Sequence, residues 1–296
     1  MKNNKYVLIT SAKNEAKYIS DTLESVLSQS IVPIKWIVVS DGSIDGTDKI
    51  LKDYELKHDI LKYIRIDSSK ELGFISKVLA IKKAYELLRD HNYEFIGILD
   101  ADVSFDVNYY ENIIGKFNDN PKLGISGGYI YEQDPDATYR SRKTNRERCV
   151  AGAVQMFRRE CYERIGGLYP IRYGGEDTLA EIMARVYGWE VRSFPEFKVL
   201  HHNPSHRKRG IWRERFRLGK LDYVLGYHIF YELMKFIRRI PENPFFLGSV
   251  VRISGFFAAM LASEERIPPP DVVRHIRKEQ MSLLLDIIRS RSKDNF

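Results

Sequence analysis

The chain has 296 residues, 44% of them hydrophobic, and a formal net charge of +7; this leaves room for one large domain, alone or with an appendage, and excludes global disorder. Its two cysteines, Cys149 and Cys161, exclude a disulfide framework and a four-thiolate zinc site and fit a reducing, cytoplasmic compartment. From His201 onward 18 Lys and Arg face 10 Asp and Glu, or +8, so the first 200 residues sum to about −1 (7 − 8), and the basic end implies an anionic partner.

In chain order, MKNNKYVLIT has no small-residue cleavage site and reads as no signal peptide. Nowhere does the chain approach the roughly 20 apolar residues of a membrane span. A buried strand is predicted at Lys5 to Thr10, followed by the polar loop SAKNE. Ile19, Leu23, Val26 and Leu27 then recur at helical spacing. A second strand, Trp36 to Ser40, runs into the loop DGSIDGT, with a helix from about Thr47 to His58. Lys62 to Asp67 reads as a third strand, and Ile75, Val78, Leu79, Leu87 and Leu88 mark another helix. FIGIL is the fourth strand and ends at Asp100 and Asp102. This alternation predicts an α/β fold with a mostly parallel sheet covered on both faces. Ligands bind such sheets beyond the carboxyl ends of the strands, where Ser11 to Glu15, Asp41 to Thr47 and Asp100 to Asp102 stand.

The middle section is mixed. GISGGYIYEQD is extended, and CVAGAVQMFRRECYERIGGL reads as a strand turning into a helix that stops at Gly166-Gly167. GGEDTLAEIMARVYGWEV reads as a loop, a helix and a strand, with Thr178 and Glu181 matching a capping box. From His201 the segment HRKRGIWRERFRLGK carries seven basic residues against Glu214 alone. Ile229, Leu233, Phe236, Ile237 and Ile240 form an apolar stripe with Glu232, Lys235, Arg238 and Arg239 away from it. Pro268 to Pro270 precede a last amphipathic helix, about Asp271 to Arg289.

Three acidic groups carry chemistry. Asp100 and Asp102 offer carboxylate oxygens to a hard divalent cation, or else shape a turn. Asp41, ending a strand before Gly42, either contacts a nucleotide or belongs to a polar loop whose Asp45 or Thr47 caps the next helix. Glu176 and Asp177 follow two glycines at a predicted helix start; they favour the positive helix end or supply a general base.

Together, LITSAKNEAKYISDTLESVLSQS, WIVVSDGSIDGT, ILDADVSF and GGEDTLAEIMARVYGWEV resemble, in order and spacing, the family 2 glycosyltransferases with the GT-A fold, over about residues 5 to 202. The resemblance implies inverting sugar transfer from a nucleotide-diphosphate sugar, UDP favoured and GDP the alternative, with Mg²⁺ or Mn²⁺. It implies donor contacts from Ser11, Glu15, Asp41, Asp100 and Lys77, where Ser76 stands in place of the family's usual glycine. Asp102, with Asp100, matches the DxD motif, and His201 or His202 falls where some members supply a metal-binding histidine. Glu176 and Asp177 match the acidic pair, Asp177 as base. The corresponding division is a catalytic domain over residues 1–202, with a nucleotide-sugar half at about 1–103 and an acceptor half at about 104–202, and a helical extension over 203–296.

No zinc-finger, RRM or basic-zipper pattern accompanies the basic tail, which argues against nucleic acid. An anionic membrane surface suits its charge and apolar stripes; the alternative is that these helices bury their stripes against each other or a second subunit. The expected location is therefore the inner face of the cell membrane, peripherally, with a polyprenyl-linked or polysaccharide glycan as acceptor. Three rivals are a nucleotide-sugar-binding module without catalysis, which the full acid set disfavours, a nucleotidyltransferase, which SAKNEAKY, lacking glycine, does not match, and a purely structural membrane-surface protein, which gives the acidic set no reason to exist.

Overall fold

The computed structural model describes residues 4–67, 73–134, 138–203 and 210–293. The chain runs β1 (Tyr6–Ala12), α1 (Ile19–Leu27), β2 (Lys35–Asp41), α2 (Thr47–Glu55), β3 (Leu61–Ile66), α3 (Phe74–Leu88), β4 (Phe95–Asp100), β5 (Val103–Phe105), α4 (Tyr109–Asp119), β6 (Leu123–Gln133) and β7 (Tyr139–Ser141). It continues as β8 (Val154–Arg158), α5 (Arg159–Arg164), α6 (Glu176–Val186), β9 (Glu190–His201), α7 (Ile211–Val224), α8 (Ile229–Arg239), α9 (Leu247–Leu261) and α10 (Pro270–Lys293). Two compact units result, one of Met1–Arg172 with Glu176–Pro204, the other of Tyr173–Gly175 with Ser205–Phe296.

In the first unit the sheet order is β3-β2-β1-β4-β8-β6-β9-β5, with β7 on β6. β1, β2, β3 and β4 pair in parallel. Their runs of consecutive buried residues, such as Tyr6 to Thr10 and Trp36 to Asp41, are what a strand covered on both faces requires. Strand order reverses between β1 and β4, and there the Ser11 and Asp100 backbones stand side by side; such a switch point opens a crevice at the strand ends. Beyond β4 the sheet is mixed. β8 runs antiparallel to β4 and β6, and β5 antiparallel to β9, while β6 and β9 are parallel. The parallel expectation therefore holds for the first four strands; past them, chain reversals replace regular helical crossovers.

Two details differ from the sequence pattern. Leu79 and Leu87 on α3 are 40% and 52% exposed, because the helix buries Val78, Ala80, Ile81, Ala84 and Leu88 instead. The capping box does not form: α6 begins at Glu176, and Glu181 accepts a hydrogen bond from the Val150 N–H at 2.6 Å.

The second unit is helical. α7 and α9 approach so closely that a Cβ on Gly219 would stand 1.8 Å from the Arg252 carbonyl, and one on Gly255 2.1 Å from that of Phe216. α8 turns two of its charges inward and part of its apolar stripe outward. Its charged Glu232 and Lys235 are buried, while Phe230, Leu233 and Ile237 are 58%, 40% and 66% exposed. The inward charges sit in an ion cluster: Lys235 Nζ lies 2.9 Å from Asp222 and 2.5 Å from Glu232, and Arg252 makes two bonds to Asp222 at 2.7 and 2.9 Å. A buried charge left unpaired is costly, and here each of these charges has an ionic partner. Among the described residues no helix is long and apolar enough to cross a membrane. Residues 206–209 of the basic segment lie outside the described residues.

Candidate active site

The carboxyl end of β4 delivers Asp100, and a tight turn brings Asp102 to the start of β5. The turn is fixed from three sides. Asp100 N–H donates to the Ala153 carbonyl at 2.9 Å, His202 N–H to the Asp102 carbonyl at 2.9 Å, and Thr22 exchanges two bonds with the Val103 backbone at 2.8 and 3.0 Å. Pairing of β5 with β9 sets Val103 opposite His201. One ligand atom each from Asp100, Asp102 and His201 then falls within 4.8 Å of the others.

His201 Nε2 lies 3.2 Å from Asp102 Oδ2, and its Nδ1 is buried with no hydrogen-bond partner among the described residues. Burial works against its imidazolium, but the hydrogen bond and charge of Asp102, with the charge of Asp100, outweigh it and raise the pKa above the ordinary histidine value. Two carboxylates and an imidazole with an orphaned nitrogen form a donor set that fits Mn²⁺ or Mg²⁺. His202 stands apart from this set. Its Nδ1 meets the Tyr139 hydroxyl at 2.5 Å and its Nε2 that of Ser104 at 2.9 Å, with the Tyr18 ring stacked on it. Burial lowers its pKa.

Lys77, on the first turn of α3, reaches Asp100 Oδ1 at 2.7 Å. Burial opposes its charge, but Asp100, Glu176 and Asp177 together raise its pKa and keep it cationic. Glu176, buried at the start of α6, has its pKa raised by burial and by Asp177, with Lys77 pulling the other way. Asp177 is half-buried and accepts the Thr178 N–H at 2.7 Å through Oδ1. Its Oδ2 faces Gly152, where a Cβ would stand 2.7 Å away. Acids from β4 and from α6, far apart in sequence, thus surround one lysine.

The loops after β1 and β2 are laced together. Asn14 N–H donates to Ser43 Oγ at 3.1 Å, Glu15 N–H to Thr47 Oγ1 at 2.8 Å, and Ile44 N–H to Asn14 Oδ1 at 2.9 Å. Asp45 Oδ1 accepts the Thr47 N–H at 3.0 Å. Asp41, 4% exposed at the end of β2, meets Lys13 Nζ at 3.2 Å. Ser11 stands between Val39 of β2 and Asp100 of β4, the last pair of the β1–β4 register. Sequence reasoning missed Gly152, Gln155, Tyr139 and Thr22. Only Gly152, amid the small residues of VAGAV, carried a signal for close approach. A surface cavity of about 330 Å³ lined by Lys116, Asn120, Arg192 and Phe194 sits at the first residues of β6 and β9, at the opposite end of those strands from His201.

The family model described as glycosyl transferase family 2 matches residues 7–175. Poly-beta-1,6-N-acetyl-D-glucosamine synthase of Staphylococcus epidermidis is 24% identical over 226 residues, 69% of this chain and 51% of that protein. The chain therefore spans about half the length of this curated relative. Among solved structures, the mannosyltransferase PcManGT from Pyrobaculum calidifontis, in complex with GDP-Man and Mn²⁺, is similar with a TM-score of 0.55 and 18% identity, over 94% of this chain and 80% of that one. S. aureus TarS 1-349 in complex with UDP-GlcNAc gives a TM-score of 0.54 and 13% identity, over 88% and 74%. At these identities the likeness establishes the fold, the GT-A architecture.

Proposed function

The chain belongs to glycosyl transferase family 2, and on that premise we propose that it is an inverting glycosyltransferase that moves a sugar from a nucleotide-diphosphate sugar to an acceptor hydroxyl. The observation that carries the proposal is the convergence of Asp100, Asp102 and His201 with Lys77, Glu176 and Asp177 beyond β4. In the proposed division the donor half is about residues 1–103, the acceptor half 104–202 and the helical extension 203–296.

Each residue has a task. Asp41, with Ser11 and Glu15 on the neighbouring loop, holds the nucleoside. Asp102, Asp100 and His201 would hold Mg²⁺ or Mn²⁺, which when bound offsets charge on the departing diphosphate. Lys77, held cationic among acids, adds a second positive charge on the diphosphate side. Glu176 balances Lys77 and orients its ammonium. Asp177 accepts the proton of the acceptor hydroxyl as that oxygen attacks the anomeric carbon. The bond from that carbon to the diphosphate oxygen breaks on the opposite face, its electron pair leaves with the diphosphate, and configuration inverts. Base assistance of this kind contributes about 10²–10⁴-fold.

The named relatives bear on the substrate. The S. epidermidis protein is a synthase of poly-N-acetylglucosamine and the TarS structure holds UDP-GlcNAc, which favours a UDP-sugar, UDP-GlcNAc first; the PcManGT complex with GDP-Man makes GDP-sugars the alternative. For the acceptor we favour a polysaccharide or polyprenyl-linked glycan at the inner face of the cell membrane. The exposed α8 stripe and the +8 charge of the tail support peripheral contact with anionic lipid. The test is incubation with a panel of UDP- and GDP-sugars and acceptors, with Mn²⁺ or with EDTA, reading nucleotide diphosphate release and glycan product. Metal-dependent release with one donor supports the proposal. Tight UDP binding without release from any donor would leave a binding module only.

A further inference from the structure

The segment from Cys149 to Gln155 runs beside the first two turns of α6 and is tied to both. At the second turn Glu181, 4% exposed, accepts the Val150 N–H at 2.6 Å and an Arg185 N–H at 3.2 Å; Arg185 also donates to the Arg148 carbonyl at 3.2 Å. At the first turn Gln155 Nε2 spans the Val150 and Asp177 carbonyls at 3.3 and 3.4 Å. Between these ties Gly152 lies against the Asp177 carboxylate. Asp177 and Glu181, four residues apart, share one face of the helix, so the same strap meets both acids.

Burying the Glu181 carboxylate is costly, and burial pushes its pKa up to about 7. Packing alone would be served at lower cost by an apolar side chain. Only an acceptor, however, can tie down the Val150 N–H, which otherwise would be buried unsatisfied. Resting on the reading of Asp177 as the base, we propose that Glu181 is a positioning residue that laces the Cys149–Gln155 strap onto α6 and so fixes the orientation of the Asp177 carboxylate. Glu181 bonds to Val150 and Arg185, and beyond the charge repulsion it shares with Asp177 its influence passes along the strap through Val150, Gly152 and Gln155.

The test compares Glu181→Leu with Glu181→Gln in the full chain. It reads kcat and KM for the donor that is turned over, UDP–Mn²⁺ affinity by calorimetry, and amide hydrogen exchange by mass spectrometry. The Leu variant is expected to lose about tenfold or more in kcat, as for a base displaced by a fraction of an ångström. KM and UDP–Mn²⁺ affinity stay within about threefold, since an interaction made only in the transition state is lost. The Gln variant, which keeps an acceptor oxygen, stays within about threefold of wild type in kcat. Exchange speeds up in residues 149–155 and 177–181 of the Leu variant only. Wild-type kcat in Glu181→Leu, an equally impaired Gln variant, or a matching loss of UDP–Mn²⁺ affinity overturns the proposal. If the wild-type chain turns over no donor, the functional reading fails by itself, and the exchange measurement still decides the strap: unchanged protection in Glu181→Leu refutes it.

Discussion

Gly152→Ala isolates the placement of Asp177 from everything else in the site. A Cβ there would stand 2.7 Å from Asp177 Oδ2, 3.0 Å from its Cβ and 3.1 Å from its Cγ. Non-bonded carbon contacts relax near 3.5–4.0 Å, so the carboxylate has to retreat by roughly 0.5–1 Å. Misplacement of a catalytic group by about 1 Å is worth about 10²-fold in rate; the expected loss in kcat is therefore roughly 10- to 100-fold. The three atoms nearest that Cβ all belong to Asp177, so UDP–Mn²⁺ affinity should stay near the wild-type level. Overpacking adds a destabilisation of about 1–3 kcal/mol, visible in a thermal melt. Gly115→Ala on α4 is the control, since its Cβ would meet nothing within 4 Å and a helical Gly-to-Ala change stabilises by about 0.5–1 kcal/mol. The assay is donor turnover at saturating substrate alongside calorimetry with UDP and Mn²⁺. Wild-type turnover in Gly152→Ala, with an unchanged melt, would show that the carboxylate has no fixed seat and would refute the reasoning.

Asp177→Asn should retain UDP–Mn²⁺ binding and lose about 10²–10⁴-fold in kcat; unchanged turnover removes Asp177 from the mechanism. Glu181 makes stability pH-dependent: its folded pKa of about 7 exceeds the ordinary 4.5, so the native state holds a proton that the unfolded chain releases between those values. Stability from this group is full near pH 4.5, falls as pH rises toward 7, and is then flat, a span on the order of 3 kcal/mol. Glu181→Gln should accordingly melt higher than wild type at pH 8 and lose that advantage toward pH 4.5; a pH-independent difference contradicts it. Lys235→Met strands Glu232, whose partner at 2.5 Å it removes, and should cost about 3–5 kcal/mol in urea unfolding. Adding Glu232→Gln should recover part of that loss, and an additive double mutant argues against the cluster.

By itself the sequence determined the repeating strand–helix order of the first hundred residues, because doubly covered parallel strands must be continuous apolar runs and amphipathic helices must repeat every three to four residues. Those runs also announced which polar loops stand at the strand ends, and so named Asp41, Asp100 and Asp102, while Glu176 and Asp177 came from the glycine-led helix start and the family resemblance. What local periodicity does not encode is which strands pair across long separations. Only the tertiary structure set His201 opposite Val103 beside the two aspartates and sent His202 to the hydroxyls of Tyr139 and Ser104. It alone turned Glu181 from a capping residue into the tie on Val150. The burial of Glu232 and Lys235 on α8 was likewise beyond the pattern: periodicity shows which residues share a helix face, not which partners other helices bring to it. Here Asp222 of α7, itself paired with Arg252 of α9, meets Lys235, and Lys235 in turn meets Glu232.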